Sequence, residues 1–231
     1  MNASVIVLLV GMLALMTGAF VFLGHQQYRR RHVVSEFVTQ RGMEYRRTDV
    51  HRLAGGYEDL AVLSAGHARR ADNVAWGRSG DFPMVAFDFR YEVGHGLRRM
   101  TRFYAVVVVD MRTTIAPVLM WHQADLEGAP LHAKLSDRRE APWVFSGDVD
   151  VAARLAAACK PLDELTPSMQ VLDGVLLLCC PAQRSGQEYT RLLDHAQSVA
   201  HRLTNHAVVD VAGRPVGDRR DQNVAKTPID C

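Results

Sequence analysis

Hydrophobic positions run in three distinct rhythms along the chain. The first is an unbroken apolar stretch, Ala3 to Gly24, in which 22 residues carry no charge and only Ser4 and Thr17 are notably polar. Coiled as an α-helix at about 1.5 Å per residue, it is roughly 33 Å long, enough to cross a hydrocarbon layer. The expectation is therefore an N-terminal transmembrane helix over residues 1–24. The second rhythm is helical: Val33, Val34, Phe37 and Val38 form a stripe opposed by Arg31, Ser35, Glu36 and Gln40. It predicts an amphipathic juxtamembrane helix over 25–42 that docks on a following domain, with Gly42 as its stop.

The third rhythm is alternation. Met43 to Arg47 reads as a short strand and Arg70 to Gly77 as another, turning at Arg78, Ser79, Gly80 and Asp81. Val85, Phe87, Phe89 and Tyr91 then share one face, with Ala86, Asp88, Arg90 and Glu92 on the other, which reads as solvated. Met100 to Asp110 is apolar on both faces and predicts a central strand. Val118 to His122 adds a further one.

Residues 124–143 are polar and hold Pro130 and Pro142, and they read as a connection. Ser146 or Asp148 caps a helix carrying Ala152, Leu155, Ala156 and Cys159, and Pro161 closes it. Asp173–Gly174 between Met169–Leu172 and Val175–Cys180 is a two-residue hairpin signature, and Pro181 ends its second strand. Tyr189, Leu192, Leu193, Ala196, Val199, Ala200 and Leu203 keep helical spacing from about Gly186 to Asn205. The fold class expected is α+β: the transmembrane helix, then an antiparallel sheet with flanking helices. One soluble domain spans 43–206, with lobes at 43–124 and 144–206 as an alternative, and 207–231 form a mobile tail.

Arginine placement adds a direction. Between His25 and Val50 lie six Arg (29, 30, 31, 41, 46 and 47) and no Lys, with none on the other flank. Basic residues beside a span stay in the cytoplasm, so the reading is a single-pass protein of the cell membrane, N-terminus outside and C-terminal domain cytoplasmic. A cleaved signal peptide carries its basic residues ahead of the apolar run, and here they follow it. Tyr28, Arg29, Arg30 and Arg31 form the expected membrane-interface collar against the lipid bilayer. Gly11, Ala14 and Gly18 share one face and allow weak self-association of the helix.

Composition narrows the chemistry. Hydrophobic residues make up 48% and charged residues 23%, sufficient for a packed core, and the net charge of +2 implies no nucleic-acid partner. The paired arginines at 69–70, 98–99, 138–139 and 219–220 are scattered and lack interleaved aromatics. Cys159, Cys179, Cys180 and Cys231 make no Cys-x-x-Cys pair; on a strand, 179 and 180 point to opposite faces, so buried thiols are expected rather than a redox pair. Gly77-Arg78-Ser79-Gly80 lacks the spacing of a nucleophile elbow and reads as a hairpin turn. His195, His201 and His206 face different directions on one helix and read as solvated. No catalytic, metal or cofactor-binding residues are assigned, and no phosphate loop is present.

Several local motifs belong together. An N-terminal apolar segment leads into a basic helix ending Arg41-Gly42-Met43; then come Asn73-Val74, Gly77, Phe87-Asp88-Phe89-Arg90-Tyr91, and Phe145-Ser146 opening a helix. Over residues 3–205 this order resembles uncharacterised single-pass membrane-anchored proteins of actinobacteria. The resemblance implies topology and carries no activity. The function expected is non-enzymatic: a protein-binding or scaffolding domain, with a protein partner in the membrane. The alternative is a membrane-tethered, hydrolase-like enzyme using the Asp88/Glu92 sheet face together with His122. A deep pocket holding those three side chains is the feature that separates the two.

Overall fold

In the computed structural model, residues 3–49, 56–130, 135, 138–159, 165–183 and 185–211 are described. Helix α1 spans Ala3–Gln40; strands β1 (Glu44–Thr48), β2 (His67–Ser79), β3 (Phe82–Val93) and β4 (Met100–Asp110) follow. Then come β5 (Val118–His122), β6 (Arg138–Glu140), β7 (Trp143–Gly147), helix α2 (Val149–Cys159), β8 (Ser168–Leu172), β9 (Val175–Pro181) and helix α3 (Gln187–Val211). The nine strands make one sheet in the order β1-β2-β3-β4-β9-β8-β5-β7-β6. Every ladder in it is antiparallel. Strands from both expected lobes share this sheet, because β9 pairs with β4 and β8 with β5.

Alternation on β3 and β4 decides which side chains enter each layer. Ala86, Ala105, Val107 and Val109 face the helices, where Val34 and Val38 of α1, Leu155 of α2, and Tyr189, Leu192, Ala196 and Val199 of α3 close the core. Phe87, Phe89, Tyr91, Tyr104, Val106 and Val108 face the other way, under Leu60, Val62 and Leu63. Strand β4 is thus buried on both sides, as its continuous apolar run requires. Cys179 belongs to the second layer and Cys180 to the first. Burial pushes the Cys159 and Cys180 thiols up to about 12 and Cys179 well above the usual thiol range.

Local signals set the element ends. The N–H of Met43 bonds the carbonyl of Val38 and that of Gly42 bonds Thr39, with Gly42 at φ +70°, a Schellman stop for α1. Asp148, and not Ser146, caps α2 by accepting the Val151 N–H at 2.9 Å. Phe145-Ser146 lies in strand β7 rather than opening the helix. Asp173 and Gly174 both have positive φ, the turn that matches the twist of two antiparallel strands. The expected stop at Pro161 lies outside the described residues; of the tail expected over 207–231, residues 207–211 continue α3 and the rest lie outside the described residues.

The transmembrane helix is corrected. Among the described residues, no helix is long and apolar enough to cross a membrane. The apolar run is not an element of its own: it is the first part of a 38-residue helix whose remainder carries Arg29, Arg30, Arg31 and Glu36 and packs on the sheet. The single-pass topology, the external N-terminus and the cytoplasmic placement that rested on a membrane span fall with it. Val5, Val7, Leu8, Leu13, Leu15 and Phe20 stand exposed on this part of α1.

Candidate functional site

The four residues of the expected collar lie in different environments. Tyr28 and Arg29 are exposed, and the Tyr28 ring lies 6.3 Å from that of His32. Arg31 is half-buried, while Arg30 turns inward. The spacing explains this turn: Arg30, Val34 and Val38 recur every four residues, so the arginine extends the apolar stripe one turn toward the N-terminus. Its guanidinium makes a fork to Asp88, Nε to Oδ2 at 2.9 Å and Nη2 to Oδ1 at 2.6 Å. Nη1 donates to Glu188 Oε1 and to the carbonyl of Gln183.

A β-bulge completes this node. Asp72 pairs with Asp88 and Ala75 with Ala86, so Asn73 and Val74 together oppose Phe87. Asn73 takes φ +50°, a left-handed conformation that asparagine tolerates. Its amide donates to Asp88 Oδ2 at 2.6 Å, and its side-chain oxygen accepts from Tyr45 at 2.8 Å. The Tyr189 hydroxyl donates to the Asn73 carbonyl at 3.1 Å. Five elements (α1, β1, β2, β3 and α3) therefore meet at one polar centre.

Electrostatics hold the node in its charged form. Burial works against the Arg30 cation, yet the hydrogen bond and charge of Asp88, joined by Glu188, raise its pKa above the ordinary arginine value. The Glu188 side chain is fully buried; Oε1 also accepts the Gln183 N–H at 2.9 Å, and Oε2 has no hydrogen-bond partner. Gly186, one residue before α3, lets the helices approach: a Cβ there would lie 3.3 Å from Arg30 Cγ and 3.6 Å from Val34 Cγ2.

Beside the node opens a cleft of about 710 Å³, lined by Arg30, Arg31, Arg47, Arg70, Arg90 and Phe103 among others. Asp72 takes Arg70 at 3.0 Å and Arg90 at 4.0 Å. Arg31 and Arg47 pair with no carboxylate among the described residues. Burial pushes the Tyr45 hydroxyl up, and the charges of Arg31 and Arg47 pull against that rise.

The hydrolase-like trio is not assembled. Asp88 is held by Arg30 and Asn73, and Glu92 by Arg99, with His67 at 3.7 Å. His122 stands on β5, four ladders from β3, roughly 19 Å along the sheet. Neither Glu92 nor His122 lines the cleft. On the face expected to be solvated, Asp88 is covered, held under Arg30 of α1, whereas Arg90 two residues on stays 42% exposed beside the cleft. His195 is buried rather than solvated, with Nδ1 3.1 Å from the Arg191 carbonyl, while His201 packs edge-on against Phe82. Ser79 lies in β2 next to the turn and donates to Gln197.

The fold has a solved counterpart. The crystal structure of the mycobacterial trehalose monomycolate transport factor A, TtfA, matches with a TM-score of 0.57, covering 75% of this chain and 94% of that one. The two are 14% identical, so the likeness is one of fold. No family model and no curated protein matches the chain.

Proposed function

We propose that this protein is a non-catalytic accessory factor in the transport of an envelope glycolipid, acting by holding a transport protein. The observation that carries the reading is the division of labour in α1. Its C-terminal half is fixed to the sheet and to α3 by the Arg30 node, while its N-terminal half presents Val5, Leu8, Leu13, Leu15 and Phe20 uncovered. An apolar helical segment, uncovered on every side and rooted in a docked helix, suits a helical or grooved partner surface. The match to a factor named for trehalose monomycolate transport supports the kind of process. The commitment of Asp88 to Arg30 and Asn73 argues against acid–base work at the residue best placed for it.

A photo-crosslinking residue at Leu13 or Leu15 of the full chain, expressed in its own host, tests this. The expected result is one protein adduct, identified as a transport component, that vanishes when the same residue is placed at Glu36. Loss of the gene should also slow delivery of labelled trehalose monomycolate to the envelope. Adducts to lipid or to a second copy alone, with unchanged delivery, reject the proposal.

A further inference from the structure

The cleft beside the node carries an unmatched charge that the accessory role does not use. Five arginines (30, 31, 47, 70 and 90) line it against Asp72 and Asp88. Counting the buried Glu188 that shares Arg30, two positive charges remain in excess. They are also identifiable. Arg30 is taken by Asp88 and Glu188, and Arg70 and Arg90 flank Asp72, which leaves Arg31 and Arg47. These two come from different elements, the docked half of α1 and strand β1, and both act on the hydroxyl of Tyr45.

We infer that this cleft binds a phosphate monoester, held by Arg31 and Arg47. Two guanidinium forks with an excess of two charges suit a phosphate dianion, whose oxygens accept paired N–H donors. A volume of about 710 Å³ has the size of a small-molecule site and exceeds what a bare oxyanion fills. The remaining wall includes Phe103, an apolar side chain left half exposed on β4 opposite Arg90, which suits a carbon skeleton attached to the phosphate. The site stands apart from the partner-binding reading of α1: either can fail alone.

Calorimetric titration of the full chain, kept dispersed by a neutral detergent, tests it with three probes: inorganic phosphate, glycerol 3-phosphate and a short-chain, water-soluble phosphatidic acid. Glycerol and the matching diacylglycerol serve as controls. Saturable binding of at least one phosphate probe is expected. Preference for glycerol 3-phosphate marks a free phosphate ester, and preference for the phosphatidic acid marks a lipid headgroup. The double variant R31Q/R47Q should weaken binding by about tenfold or more, whereas R29Q, outside the cleft, should change it by less than about twofold. R47Q alone, on an exposed strand position, repeats the test should the double variant melt early. Heats no larger than the controls, or an equal loss in R29Q, overturn the assignment.

Discussion

Replacing Arg30 by Met leaves Asp88 and Glu188 facing each other without their shared cation. The three side chains are 12%, 17% and 0% exposed, so water does little to compensate either carboxylate. Removing one member of a buried ion pair costs about 3–5 kcal/mol, against a total stability of about 5–15 kcal/mol for an ordinary domain. A loss of about 4 kcal/mol is expected for R30M. R30K should lose less, about 1–2 kcal/mol, because an ammonium keeps the charge but cannot make the fork to Asp88 while reaching Glu188. Adding E188Q to R30M should recover part of the loss, since one buried charge goes with it. Urea unfolding in a neutral detergent, followed by the fluorescence of the buried Trp121 and Trp143, supplies the free energies. An R30M variant within about 1 kcal/mol of the parent, with no recovery on adding E188Q, would show that the node is solvated and carries no weight in the fold.

Two further outcomes follow from the same packing. Gly186→Ala should destabilise by about 1–2 kcal/mol, because φ is +76° and the new methyl presses on Arg30 and Val34; the urea midpoint reads the effect. Above about pH 10 stability should fall, because burial raises Tyr91 to about 12 and Tyr104 and Tyr189 further. Each is a neutral acid that keeps its proton longer folded than unfolded, so its contribution is whole below pH 10 and lost as pH climbs through the folded value. Unfolding midpoints between pH 8 and 12, read beside tyrosinate absorbance, check the sign.

The sequence made some elements plain because their signals are local. Asp173–Gly174 needs no knowledge of its surroundings to turn a chain, and Gly42 ends α1 by its own conformation. Alternation in β3 sorted Phe87, Phe89 and Tyr91 from Ala86 and Asp88 correctly. The second set reads as solvated in the sequence, yet Ala86 lies under the three helices and Asp88 under Arg30. β6 and β7 escaped notice because three and five residues beside Pro142 carry too little pattern. The separation of Asp88 from His122 was likewise invisible, since the insertion of β9 and β8 between β4 and β5 is a long-range matter. The Arg30 node was within reach: an arginine four residues before Val34 and eight before Val38 sits on the buried face. Reading residues 29–31 as one basic cluster hid that phase.

A sheet of nine strands that does not close has two raw flanks, and each is a template on which a foreign strand can grow. Here one flank is β6, only three residues long and made of Arg138, Arg139 and Glu140. The other is β1, five residues that include Glu44, Arg46 and Arg47. Short, charged borders of this kind discourage a second chain from zipping on. Neither rim of this sheet therefore offers the long, flat, apolar border on which a foreign strand extends a ladder.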